Sequence, residues 1–132
     1  MTEVEPFFSI TIFSFGYKYG APQDVNLLFD VRFLANPYHV DTLRSFTGLE
    51  SSIADYVLRN QSGSDCLHHL HRIISFFATA HRQSGKKELR IAIGCTGGHH
   101  RSVAVTEALA ALLQKEAFSV SYHHRDIEKE SH

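Results

Sequence analysis

The sequence predicts one α/β domain, built on a small mixed or parallel sheet of about four strands covered by helices. Three observations carry that prediction. Segments of β type and of helical type follow one another in the order β, β, α, α, β, loop, α, β, which is the signature of helices laid on a sheet. The segment Glu88 to Gly94 (ELRIAIG) is short and almost continuously apolar, as a strand buried on both faces is. It then runs through a glycine pair into a helical segment, which implies a right-handed crossover to a further strand. With 132 residues, 43% hydrophobic and 20% charged, the chain has the size and balance of one globular domain over residues 1–132.

Phe7 to Phe15 (FFSITIFSF) is rich in β-branched and aromatic residues with partial alternation, and is strand one. The stretch Gly16-Tyr-Lys-Tyr-Gly20 followed by Pro22 ends it in a turn. Asn26 to Phe33 (NLLFDVRF) is strand two, interrupted by Asp30 and Arg32. Asn36 and Pro37 open a long connection that lasts through Gly48, and Leu49 to Asn60 reads as a short helix. Ser64 and Asp65 offer an N-cap to a longer amphipathic helix. Its apolar face is Leu67, Leu70, Ile73, Ile74, Phe77 and Ala80, and it stops near Gly85. Strand three, Glu88 to Gly94, precedes a helix from Arg101 to Glu116 with Val105, Leu109, Leu112 and Leu113 inward. Phe118 to Tyr122 is strand four, and residues 123–132 read as a polar tail.

Composition narrows the function classes. A formal net charge of −1 lacks the basic excess usual for a nucleic-acid-binding domain. No apolar run approaches the roughly 18 residues that span a bilayer, and the acidic start is unlike a signal peptide, so the expected compartment is the cytoplasm, with no membrane partner. Cys66 and Cys95 form no C-x-x-C pair and are expected to be reduced thiols. Ten histidines are many for this length, and imidazoles gain charge in mild acid.

The segment Gly94-Cys-Thr-Gly-Gly-His-His-Arg-Ser102 carries the functional argument. Where a strand turns into a helix, the first helical amides lack intrahelical partners and point outward. The helix dipole adds about half a positive charge at the same end, so an anion gains hydrogen bonds and favourable electrostatics together. Gly97 and Gly98 permit positive φ and close approach of backbone to ligand. Arg101 can offer a two-pronged fork, and Thr96 or Ser102 a hydroxyl. A tight turn whose glycines serve packing alone is the plainer alternative. The Walker pattern is absent.

Five residues separate Cys95 from Arg101, with Ser102 next, and this resembles the phosphate loop of cysteine-dependent phosphatases. There a thiolate attacks phosphorus while the arginine holds the oxygens. That alternative makes Cys95 and Arg101 catalytic, with Asp30, Asp41 or Asp126 as general acid and nothing to choose among them. Gly94 stands where tyrosine phosphatases usually carry His.

A second resemblance covers most of the chain. Ser14-Phe-Gly-Tyr-Lys-Tyr-Gly20, Phe29-Asp-Val-Arg-Phe-Leu34, Asn36-Pro37, Thr47-Gly48-Leu49 and Gly94-Cys-Thr-Gly-Gly-His-His-Arg-Ser-Val103 occur in the order of the signatures of the C-terminal domain of the RapZ, or YvcJ-like, family of nucleotide-binding proteins. The resemblance implies an architecture like a phosphofructokinase subdomain and a non-catalytic module that binds a phosphorylated ligand. An amino-sugar phosphate, a nucleotide such as ATP or an RNA backbone are the ligands it suggests, with no cofactor and no metal. It places Cys95, Thr96, Gly97, His100 and Arg101 in a phosphate pocket, with Gly98, His99 and Ser102 in the same loop. Asp30 and Arg32 flank the pocket, Asn36 lies nearby, and Lys18 belongs to the same surface. The family's full-length members add a P-loop, kinase-like domain, so a partner protein carrying such a domain is also implied. This chain departs from the family in lacking that domain, in His99 where the family has Lys, and in a less basic ending. Loss of a permanent charge at position 99 and of tail charges weakens the case for RNA. A third reading is a protein-docking adaptor with a vestigial loop.

The remaining residues have plainer readings beside functional ones. Asp30 and Arg32, two apart on a strand, would share a face and form either a ligand site or a structural ion pair, for example Asp30 with Arg101. Cys66 reads as a core or boundary residue. His68, His69 and His71 read as a solvated face rather than a metal cluster. His123 and His124 follow strand four, whose end would lie near the loop in a parallel sheet. Tyr17 and Tyr19 sit in a turn where stacking on a base or sugar is possible.

Overall fold

The computed structural model describes residues 7–129. Its elements are β1 (Ser9–Gly16), β2 (Leu27–Asp30), α1 (Ser51–Leu58), α2 (Gln61–Gln83), β3 (Glu88–Cys95), α3 (Arg101–Lys115) and β4 (Ser119–His124), with short 3-10 turns at Tyr17–Tyr19 and Pro37–His39. The four strands form one sheet in the order β2-β3-β1-β4. Every pairing is parallel: Ile12 lies opposite Ile91 and Tyr122, and Leu28 opposite Ala92.

The alternation of side chains sorts the residues between two faces. Ile10 and Ile12 of β1 and Leu89, Ile91 and Ile93 of β3 point to one face and are fully buried there. All three helices cover it, contributing Ile53, Val57, Ile74, Ala78, Val105, Leu109 and Leu113 to one core. The opposite face holds a smaller cluster of Phe13, Phe15 and Ala92, covered by Tyr17 and Val25 from the connection between β1 and β2. Its lower half is polar: Thr11 Oγ1 donates to Glu88 Oε2 at 2.8 Å, and the Arg90 guanidinium sits over the Phe13 ring. This explains why β1 reads as only partly alternating, since its upper half is covered on both sides and its lower half on one.

Several boundaries differ from the sequence expectation. Strand two ends at Asp30, and Arg32 lies in the turn beyond it. The long helix starts one turn earlier than Ser64 and Asp65 suggest: Asn60 is the N-cap, its Oδ1 accepting the Gly63 N–H at 2.8 Å. Gly63 makes this early start feasible, because a Cβ there would lie 2.3 Å from the Val57 carbonyl oxygen. On α2 the buried stripe is narrower than the periodicity implies, since Ile73 and Phe76 are largely exposed and Ala80 faces solvent. The segment before α1 is tied by Glu50, whose Oε2 accepts both the N–H and the hydroxyl of Thr47 at 2.9 Å. Those two bonds hold its carboxyl below the usual range.

Residues after Tyr122 are not a free tail. β4 continues to His124, which bridges Ser14 Oγ on β1 and Glu107 Oε2 on α3, each at 2.7 Å. Asp126, also read as tail, is fully buried. Its carboxylate accepts the Gly16 N–H at 2.8 Å and pairs with Arg125 at 2.9 Å and Lys129 at 2.7 Å. Burial alone would raise its pKa, but the bonds from Arg125, Gly16 and Lys129 outweigh that and hold it below the ordinary Asp value.

Asp126→Ala should therefore cost about 2–3 kcal/mol of stability at pH 7, the scale of hydrogen bonds to a charged group. A depressed folded pKa contributes stability that is present above the unfolded value and lost as pH falls through the folded one. Denaturant unfolding of both proteins should show the gap full at neutral pH and closing below about pH 4. A gap that stays constant down to acid would refute the ionised clamp.

Candidate anion site

In a parallel sheet the carboxyl ends of all strands lie at one edge, and ligands gather where neighbouring strands send their connections in opposite directions. Here that point lies between β1 and β3. The connection from β1 crosses the Phe13–Phe15 face to reach β2, whereas α3 leaves β3 across the helical face to reach β4. The loops after β1 and β3 meet at this point. Lys18 N–H donates to the Thr96 carbonyl at 3.1 Å, and Gly16 backs onto Gly97 and Gly98. A Cβ on Gly16 would lie 2.5 Å from the Gly97 carbonyl carbon. Gly98 adopts φ +78°, and a Cβ there would lie 2.7 Å from Gly16 N. On the other side Gly48 donates its N–H to the His99 carbonyl at 2.8 Å.

The loop delivers a helix whose first turn is uncapped by any side chain: the N-cap position is His100, and its ring is engaged elsewhere. His100 Nε2 bonds the Arg44 carbonyl at 3.1 Å. Burial pushes its pKa down more than the Phe46 and Arg44 carbonyls raise it, so the ring is neutral at pH 7. Arg101 begins α3 with only 5% of its surface exposed. Its Nη1 donates to the Arg32 carbonyl and, at 3.4 Å, to that of Leu34, while Nη2 donates to Thr96 Oγ1 at 3.3 Å. Its Nε is buried without a partner, and among the described residues no carboxylate forms an ion pair with it. Burial lowers its pKa, with Cys95 and Asp30 acting the other way, yet a guanidinium stays charged in proteins.

A small recess lies over this helix end, lined by Asn36, Cys95, Thr96, Gly97, His99, His100 and Arg101. Six of these come from the segment 95–101, and Asn36 closes the side, its Oδ1 accepting the Tyr38 N–H at 3.1 Å. Other sequence candidates lie around the recess rather than in its wall. Asp30 and Arg32 pair with each other, Arg32 Nη2 reaching Asp30 Oδ2 at 2.7 Å, and both are exposed. Asp30 is thus partnered by Arg32 and not by Arg101, because the strand ends at Asp30 and the turn folds Arg32 back onto it. The Arg32 bond holds the Asp30 carboxyl below its usual range, and the guanidinium lies 3.9 Å from the Tyr17 ring centroid. The pair acts on the recess through its backbone, since the Arg32 carbonyl anchors Arg101. Lys18 contributes its backbone N–H to the loop, while its ammonium lies over Tyr19. Gly98 supports the loop from behind.

Cys95 belongs to the end of β3 and is 2% exposed. It packs in the helical-face core, and its thiol donates to Ser102 Oγ at 3.1 Å. Ser102 is fully buried, so its hydroxyl serves this contact. Of the other histidines, His71 bonds Glu116 across the α2–α3 contact, and His123 stacks on Phe13 at 5.0 Å between centroids. Among the described residues no group of His, Cys, Asp and Glu is arranged to hold a metal ion. Also among them, no helix is long and apolar enough to cross a membrane.

Sequence reasoning missed Gly16 and Gly48 as loop supports and Arg44 as the anchor of His100. The two glycines had a signal, each falling in one of the turn segments quoted above, but only packing shows what they touch. A family model described as the RapZ C-terminal domain matches residues 8–128. A nucleotide-binding protein of Mycobacterium leprae is 48% identical over 123 residues, covering 92% of this chain and 41% of the relative. One of Thermoanaerobacter sp. is 48% identical over 121 residues, covering 92% and 43%, and one of Mycobacterium tuberculosis is 47% identical over 123, covering 92% and 41%. The chain thus spans about two fifths of the length of these relatives.

Gly16→Ala should force the β1 turn and the loop apart. Overpacking against backbone typically costs about 1–3 kcal/mol. The expected result is a loss of that size in denaturant unfolding, with amide shifts centred on Thr96 to Gly98. A variant as stable as the parent, with those amides unmoved, would show that the two turns are not held in contact.

Proposed function

Because the chain belongs to the RapZ C-terminal domain family, we propose that it is a binding module whose ligand carries a phosphate, seated in the recess at the start of α3. The observation that carries this reading is Arg101: a cation buried to 95%, with a free Nε and, among the described residues, no carboxylate in an ion pair with it, Asp30 acting on it without a direct bond. An isolated buried charge is expensive, and an anion in the recess would offset that cost. The uncapped helix end beside it supplies the backbone donors, and the dipole acts in the same direction. The anchoring of Arg101 by two carbonyls and Thr96 holds the guanidinium in place before a ligand arrives, which reduces the ordering cost of binding.

The relatives' name, nucleotide-binding protein, supports a nucleotide as the phosphorylated ligand; a hexosamine phosphate and an RNA backbone present the same group. The recess has water-sized room, so a phosphate head would sit at its mouth, with the rest of the ligand over Asn36 and His99. The Cys95 thiol is 2% exposed and donates to Ser102 Oγ, an arrangement that favours binding over attack on phosphorus.

Backbone amide NMR titrations with inorganic phosphate, a hexosamine phosphate and ATP in parallel test the proposal. Saturable shifts should concentrate at residues 95–103, and the ligand ranking should separate sugar from nucleotide. Arg101→Ala should abolish these shifts while the dispersed spectrum of a folded domain remains. Unchanged affinity in that variant would overturn the proposal.

A further inference from the structure

His99 is 6% exposed and lines the Arg101 recess. Its Nε2 lies 2.6 Å from the Lys129 carbonyl oxygen. A carbonyl oxygen only accepts, so Nε2 carries the proton of the neutral ring, and Nδ1 presents a lone pair. That Nδ1 is buried and has no partner. A lone pair beside a bound anion is repelled, whereas a protonated Nδ1 would donate a charge-assisted hydrogen bond. We infer that His99 is a proton-dependent ligand-binding residue, so that this chain takes up one proton at His99 Nδ1 as it binds its anion and binds more tightly in mild acid. The inference rests on the anion reading of the recess and adds its regulation by pH.

The surroundings leave that proton uptake to His99. Its own loop contributes His100, kept neutral by burial, and the permanently charged Arg101. From the segment after β4 come the Lys129 ammonium and its partner Asp126, already an ion pair. From the stretch before α1 come Arg44, paired with Asp41, and Glu50, bonded to Thr47. From the β2 turn come Asp30 and Arg32, paired with each other. Each of these charges is permanent or paired with a partner, whereas the His99 Nδ1 has none. His99 and His100 also line a second recess with Arg44, Phe46 and Thr47.

Sulfate is the probe, because it remains a dianion throughout this range and phosphate does not. Its dissociation constant should fall about tenfold between pH 7.8 and 5.8, the effect of one added charge-assisted bond. Calorimetry in buffers of different ionisation enthalpy should read proton uptake on binding near neutral pH. In His99→Gln the pH slope should vanish, with weak binding at both ends. The imidazole 15N shifts of the unaltered protein give a second measure: Nδ1 unprotonated at pH 7.8 without sulfate, protonated at pH 5.8 with it. Binding with its slope intact in His99→Gln, or a protonated Nδ1 in the free protein at pH 7.8, overturns this inference alone. No sulfate binding at any pH overturns both it and the phosphate-binding proposal.

Discussion

The contact between the turn after β1 and the loop after β3 is the constraint on which the rest of this end of the molecule depends. Two parallel neighbours bring their carboxyl ends side by side, and here the backbones approach so closely that neither Gly16 nor Gly98 has room for a Cβ. The Gly16 N–H that would be stranded by so tight a packing is taken by Asp126. Asp126 in turn holds Arg125 and Lys129, and the Lys129 carbonyl holds His99. One close approach between glycines thus fixes the position of the loop, the course of the chain after β4 and the ring of a recess residue. At Gly16 and Gly97 the loop is backed by backbone rather than by side chains.

Two buried charges at this end are treated in opposite ways. Asp126 receives a backbone N–H, a guanidinium and an ammonium, a set that satisfies both oxygens. Arg101 receives neutral oxygens only, two carbonyls and a hydroxyl, and keeps one nitrogen free. Neutral acceptors orient a guanidinium without cancelling its field. A structural arginine would be matched to a carboxylate as Asp126 is matched to its cations, and Asp30 is near enough for electrostatics to register. Arg32 takes Asp30 instead, in a bidentate pair that leaves Arg101 without a directly bonded carboxylate among the described residues. Which cations line the recess without a direct carboxylate bond therefore follows from which arginine Asp30 pairs with.

Much of this was legible in the sequence, and for identifiable reasons. The continuous apolar run of β3 and the glycine pair before Arg101 fixed a strand, a loop and a helix in sequence, because burial on both faces and the strand-to-helix turn each impose a local composition. The order of strands was not legible, since hydrophobic pattern gives a strand's faces and not its neighbours. The Asp30–Arg32 geometry was misread because period-two reasoning holds only while the strand lasts, and β2 ends at Asp30. The polar ending concealed a fully buried carboxylate, since a charge that finds several partners far along the chain leaves no local trace. The Ser64–Asp65 cap was outcompeted by Asn60 for want of knowing that Gly63 allows α1 and α2 to touch.

The same reasoning bears on why the site sits on this fold. In this strand order the step from β1 to β2 runs opposite to the other two, so a right-handed crossover passes over the other face, and the short chain from Gly16 to Asn26 does so, covering Phe13 and Phe15 with Tyr17 and Val25. That crossing is what separates the directions of the β1 and β3 connections and opens a gap between them. The gap then needs a wall, and α3 supplies one whose first amides face into it. A recess with a positive end is therefore a consequence of strand order before any residue is chosen for chemistry. Residue choice adds the rest: Arg101 adds a fixed charge, Thr96 and Asn36 add polar edges, and His99 adds a buried imidazole nitrogen without a partner. The first layer of this arrangement shapes the loop and the second sets the groups that line it, and the two are separable by whether the Gly16–Gly97 contact survives.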